Sequence, residues 1–224
     1  MHFPQASEPA ACPKLLAMSP ETFTAVLLFS LVMGFTPGPN NVMLAASGAR
    51  FGIGRTLPHL AGVTVGFPVM VLLVGLGLAS ILLASPILQL GMKVVSCAYL
   101  LWLAFQIARS ASASASTGDG KPMTFLQAAA FQWVNPKAWL MAVGAISAYT
   151  AGRGMQLYFQ IAIIALLTVV VTLLSTLTWT AFGAIIRRWL RAPLALHLFN
   201  LVMALLLVGS TLPILLEVWH DLKS

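Results

Sequence analysis

Two short segments carry most of the polar chemistry of this sequence: Thr36-Pro37-Gly38-Pro39-Asn40-Asn41 and Asn135-Pro136-Lys137, each set in the middle of a long apolar run. Two prolines in the first segment remove two backbone donors and crowd the carbonyls one turn back, so no continuous helix passes through it. A helix that stops before Pro37 leaves unpaired carbonyls around Met33 to Phe35, and their partial negative charge suits an ammonium group. In the second segment Asn135 is a good N-cap and Pro136 a good first helical residue, so a new half-helix should begin there. Its unsatisfied N–H groups and positive dipole end suit a carboxylate. Together the two ends describe a receptor for a small zwitterion. Asn40 and Asn41 can hydrogen-bond a ligand here or cap the helix that follows Pro39, and residue type alone allows both.

The elements that must position these residues follow from composition. Of 224 residues, 59% are hydrophobic and 8% charged, against about 25% charged in a soluble domain. So few charges cannot cover a water-exposed surface, and the apolar excess must face lipid. Crossing a hydrocarbon core of roughly 30 Å takes about 20 helical residues. Six runs qualify, near 22–50, 58–84, 86–109, 123–151, 157–186 and 193–217. The expected fold is all-α: a polytopic membrane protein with six transmembrane helices, the first and fourth broken.

Residue 36 is the centre of the first run and residue 137 the centre of the fourth, so both breaks fall near the bilayer midplane. Irregular backbone at that depth persists only where protein buries it or it lines a watery cavity. A lone proline would read as a structural kink. Two interruptions at matching depth in two halves are the sequence mark of a transport site. Lys137 strengthens that reading, because a cation at the midplane costs about 2.5–3.5 kcal/mol and is too deep to reach the interface. It should point inward, to contact a substrate carboxylate or to titrate during a cycle. The plainer reading is a lysine hydrated in a cavity.

The Ala/Ser stretch running to Gly118-Asp119-Gly120 makes 110–122 a flexible linker between a first three-helix repeat, 21–109, and a second, 123–218. Because three is odd, two homologous halves must lie upside down relative to one another as inverted repeats. Residues 1–20 contain Pro4, Pro9 and Pro13 and no signal-peptide pattern, so they read as a disordered N-terminal extension. Met18-Ser19-Pro20-Glu21 reads as the natural helix start, and 219–224 as a C-terminal tail. Arg50, Arg55, Arg109, Lys121, Arg187, Arg188 and Arg191 fall in the odd-numbered gaps, against Lys14, Arg153 and Lys223 on the other side. That bias places the odd gaps in the cytoplasm and both termini outside.

The formal charge of +7 calls for no nucleic acid, since its basic residues sit in the gaps between spans. The acids are Glu8, Glu21, Asp119, Glu217 and Asp221, none of them at mid-run, so a basic substrate would lack a counter-charge. Proton coupling would have to use Lys137, His59 or His197. Lys93, two turns into the third run, can snorkel outward. Cys12 and Cys97 provide neither a disulfide framework nor a thiolate cluster. No catalytic, phosphate-cradling or metal motif is present, so no metal or cofactor is expected. Gly34/Gly38 and Gly62/Gly66 should let helices approach closely, and are compatible with a homodimer.

With Gly34-Phe35-Thr36-Pro37-Gly38-Pro39-Asn40-Asn41 in the first run and Phe131-Gln132-Trp133-Val134-Asn135-Pro136-Lys137-Ala138-Trp139 in the fourth, the chain resembles the lysine exporter (LysE) superfamily. Within it, the likeness is to the threonine/homoserine and cysteine/O-acetylserine efflux branch, over about residues 18–218. The resemblance implies a bacterial inner-membrane exporter of small neutral amino acids or derivatives, driven by membrane gradients without ATP. Pro-Gly-Pro-Asn-Asn is most similar to the cysteine/O-acetylserine exporters, and the missing mid-membrane acid departs from the basic-substrate pattern. The rival readings are an exporter of basic amino acids or other small metabolites, and a non-transporting membrane assembly protein. A redox carrier would need paired cysteines in the spans, and a divalent-metal exporter clusters of His, Asp or Cys at midplane depth.

Overall fold

The computed structural model describes residues 18–80, 84–109, 121–151, 153–189 and 193–221; most of the expected extension 1–20 and linker 110–122, and the end of the tail 219–224, lie outside the described residues. In chain order the helices are α1 (Pro20–Phe35), α2 (Pro39–Leu73) with a π-helical continuation (Val74–Leu78), α3 (Pro86–Arg109), α4 (Phe125–Phe131) with a 3-10 turn (Gln132–Val134), α5 (Pro136–Tyr149), α6 (Met155–Trp189) and α7 (Pro193–Asp221). Four described helical segments are long and apolar enough to cross a membrane: Pro39–Leu78, Pro86–Arg109, Met155–Arg187 and Leu194–Trp219. Shorter apolar α1 joins them.

Local chemistry sets the helix starts. Ser19 caps α1 by accepting from the Thr22 amide, with Pro20 in the first turn beside Glu21, at the helix start read from the sequence. Thr124 and Gln127 form a reciprocal capping box at the start of α4.

The expected gap between Arg50 and Pro58 is not a loop. A straight helix from Pro39 to Leu78 would be about 60 Å long, twice the hydrocarbon core. Instead α2 folds back at Gly52, whose φ of 78° suits glycine alone among common residues. The Ser47 and Thr56 hydroxyls lie 3.0 Å apart, although nine residues of straight helix would separate them by about 13 Å. Leu44 likewise shares a core cluster with Leu60 and Val63. Pro58, read from sequence as a boundary, lies inside the second arm. One residue with positive φ does the work of a loop.

The two arms of α2, 39–51 and 53–73, form the centre of the molecule, and α3 pairs with α7 at its periphery. The first arm meets α6 where a Cβ on Gly48 would strike the Thr180 carbonyl and one on Gly183 the Ala45 carbonyl. The second arm meets α4, where a Cβ on Gly66 would lie 2.7 Å from the Ala129 Cα. The spacing of Gly62 and Gly66 thus serves close approach within the chain. Val26, Phe67, Met70, Ala142 and Ile164 build one core between α1, α2, α5 and α6. Val42, Leu100, Phe131, Met203 and Leu207 build a second toward α3 and α7. Outward residues of α3 and α7 such as Val95, Phe105, Leu205 and Leu212 remain exposed, as lipid contact requires.

Gly183→Val should lower the thermal midpoint and the folded yield sharply, because the obstacle is backbone and overpacking costs about 1–3 kcal/mol. Gly209→Val, where a Cβ meets open space, should leave both unchanged. Equal melting of the two variants in detergent would show that α2 and α6 do not pack this closely.

Candidate substrate site at the two helix breaks

The chain opens where the sequence said it would. Thr36 and Gly38 are extended between α1 and α2, and Pro39 starts the new helix. The carbonyls expected to stand open around Met33 to Phe35 are largely taken, because a buried C=O without a partner is costly. The Thr36 hydroxyl donates to Met33 O at 2.9 Å. Asn41 Nδ2 donates to Gly34 O at 2.8 Å and to Thr36 O at 2.9 Å, and the Ser175 hydroxyl on α6 also donates to Gly34 O at 2.7 Å. Asn41 is therefore a staple across the break. It does not cap α2, whose N-cap is Gly38 without any side-chain hydrogen bond.

The second break follows the capping logic directly. Asn135 Oδ1 accepts from the Lys137 amide at 3.1 Å, with Pro136 in the first turn of α5. Trp139 Nε1 donates to Trp133 O at 2.9 Å and so covers one carbonyl released by the interruption. Asn40 does not cap either: it exchanges two amide hydrogen bonds with buried Gln132, at 2.8 and 3.2 Å.

Lys137 joins the two breaks. It points inward as its burial cost demanded, but its partners lie in the other break, just past the end of α1: Nζ donates to Thr36 O and to Thr36 Oγ1, both at 2.8 Å, and approaches Pro37 O at 3.5 Å. The place that suits a substrate ammonium is occupied by the protein's own. Gly38 makes room for it, since a Cβ there would lie 2.7 Å from Lys137 Cδ.

Two cavities meet at this crossing. A small one of about 50 Å³ lies toward α2 and α6, bounded by Gly34, Asn40, Asn41, Asn135, Lys137 and Ser175. It has room for a few waters at roughly 10–15 Å³ each. A large one of about 610 Å³ opens toward α3 and α7, and Thr36, Pro37, Pro39, Pro136 and Lys137 all line it. Both helix N-termini and the Lys137 ammonium lie at this junction, an environment for a carboxylate.

Lys93 does not simply reach outward. Its Nζ lies 3.1 Å from Glu217 Oε2, and both line the large cavity, so an acid assigned to the end of a run from sequence belongs to the same space as the breaks. His59 is buried with neither ring nitrogen hydrogen-bonded among the described residues, and it lines neither cavity. Sequence reasoning missed Gln132, Ser175 and Glu217. For Ser175 a signal existed: Thr168, Thr172, Ser175, Thr176 and Thr180 recur at three- and four-residue spacing in an otherwise apolar run, a polar stripe down one face of α6.

Residues 31–217 match the family model described as LysE type translocator. A cysteine/O-acetylserine efflux protein of Klebsiella pneumoniae subsp. pneumoniae is 31% identical over 171 residues, 76% of this chain and 86% of that relative. The proteins of the same name from Salmonella typhimurium and Escherichia coli are 30% identical over 195 residues and 29% over 191, each covering 85% of this chain and 96% of the relative. No solved structure matches the chain.

Proposed function

Because this chain belongs to the LysE type translocator family, we propose that it exports a small neutral amino acid, or a derivative of the cysteine/O-acetylserine kind, by alternating access around the two helix breaks. It is a multi-pass protein of the bacterial inner membrane. The observation that carries the reading is the Lys137 crossing, which ties the opened end of α1 to the start of α5 on the wall of a cavity that both break prolines line.

An inverted-repeat architecture of six spans is the frame in which this crossing works, with the fold-back at Gly52 dividing α2 between the first span and the second. Three correspondences support it. In each half the residue after the helix-starting proline reaches the opposite break: Asn40 to Gln132, and Lys137 to Thr36. α1 packs on α6 at Gly34 and Val171, as α4 packs on the second arm of α2 at Ala129 and Gly66. The third members, α3 and α7, pair with each other.

The glycine contacts near the Gly52 end seal one side, and the large cavity lies toward the other, so this arrangement is read as an outward-facing state. Substrate carboxylate would bind at the positive helix ends and draw the Lys137 ammonium from the carbonyls of the first break. Releasing that tie lets the halves rock. A basic amino acid fits poorly, since Lys93 and Lys137 outnumber Glu217 on the cavity wall.

Cells loaded with L-cysteine, O-acetyl-L-serine, L-threonine, L-homoserine and L-lysine test the proposal. Expression of the chain should accelerate efflux of one or more neutral members several-fold and leave L-lysine unchanged. Equal efflux with and without the chain for every member would end the reading.

A further inference from the structure

The chemistry at the breaks is unbalanced for a zwitterion. Two helix N-termini and Lys137 favour a carboxylate, while Lys137, Asn41, Ser175 and Thr36 engage the carbonyls at and just past the end of α1 that would have received an ammonium. Among the described residues lining the large cavity, Glu217 is the single acid. It faces a wall built mainly of apolar groups such as Met33, Met92, Leu140, Val143 and Ile214.

The pair it makes is open to a ligand in the cavity. The side chains of Lys93 and Glu217 are 27% and 61% exposed, and both stand on the wall of the large cavity. The pair also ties two peripheral helices near a shared end. Lys93 is about 10 Å along the axis from the start of α3, and Glu217 about 6 Å from the last described residue of α7.

We propose that Glu217 is the subsite for the ammonium group of the exported molecule, and that Lys93 is its resident counter-ion, displaced when that ammonium binds. The inference rests on the export reading above and deepens it. One cation replaces another on the same carboxylate, so the anion is never left without a partner. The released Lys93 stays on the cavity wall, where it adds to the attraction for the substrate carboxylate. Since Lys93 belongs to α3 and Glu217 to α7, the exchange unties these helices when substrate is present, and occupancy is thereby linked to movement of that end. A free amine becomes a recognition element, and N-acylated analogues become poor substrates.

The full chain in proteoliposomes gives the test, with the fastest neutral member of the panel above and its N-acetyl counterpart as probes. Glu217→Gln should raise KM for the free amino acid at least tenfold and narrow its advantage over the N-acetyl form. Lys93→Met should lower KM, because Glu217 loses its competitor, and the double variant should behave like Glu217→Gln. A tie that is only structural predicts otherwise: both single variants impair alike and the double variant recovers. That pattern, or KM unchanged throughout, overturns the subsite while wild-type transport upholds the export reading. If the wild type carries no member of the panel, the export reading fails and the subsite falls with it.

Discussion

Lys137→Met is expected to cut the initial rate of amino-acid efflux at least a hundredfold at matched protein levels, and Gly38→Ala to approach the same loss without altering a charge. Methionine keeps an unbranched stem but removes every donor from the crossing between α5 and α1. Two hydrogen bonds of 2.8 Å from an ammonium disappear, each contributing about 1.5–3 kcal/mol because the donor is charged. If the transport cycle depends on making and releasing them, their loss reaches the rate directly, at tenfold for about 1.4 kcal/mol. Gly38 gives an independent route to the same outcome. Its backbone is extended, with φ −170° and ψ 178°, so alanine is conformationally acceptable there. The difficulty is space: the new Cβ would lie 2.7 Å from Lys137 Cδ and 3.1 Å from Nζ, so the lysine stem must shift and its hydrogen bonds to Thr36 shift with it. Lys137→Arg should rescue poorly, because a planar guanidinium is wider than the ammonium it replaces. Efflux above half the wild-type rate in both Lys137→Met and Gly38→Ala would remove Lys137 from the mechanism.

Why the breaks were legible and their partners were not comes down to range. Proline acts on its own turn whatever surrounds it, so Pro37, Pro39 and Pro136 mark the openings from sequence alone. Asn135 caps its own helix two residues on, another local act. The direction of Lys137 could be read from the cost of its charge, but its acceptors are a hundred residues away and only the fold brings them together. Gly52 escaped because Arg50, Arg55 and Pro58 make the surrounding segment look like a loop, whereas the chain needs a single residue with positive φ to reverse. Glu217 was passed over for a related reason: its position at the end of a run says interface, and only the pairing of α3 with α7 sets it on the cavity wall. Local rules placed the interruptions, and tertiary packing chose what fills them.

Asn41 and Ser175 should be coupled in stability, with the double alanine variant destabilised by more than the sum of the single ones. Asn41 is buried, and its amide serves Gly34 O and Thr36 O at once. Asn41→Ala removes one donor from each carbonyl, but Gly34 O keeps the Ser175 hydroxyl and Thr36 O keeps Lys137. A loss of about 1–3 kcal/mol is expected, read as a lower thermal midpoint in detergent. Ser175→Ala should cost less, since Asn41 still covers Gly34 O. Removing both leaves that carbonyl with neither donor in surroundings that lipid cannot satisfy. The expected coupling is about 1 kcal/mol or more, within the range for residues that share a partner. The small cavity supplies the opposing case, because Gly34, Asn41 and Ser175 all border it and water there could serve the same carbonyl. Strict additivity would therefore mean that the break is hydrated when both side chains are shortened, and that the staple across it acts on the path of the substrate more than on the stability of the fold.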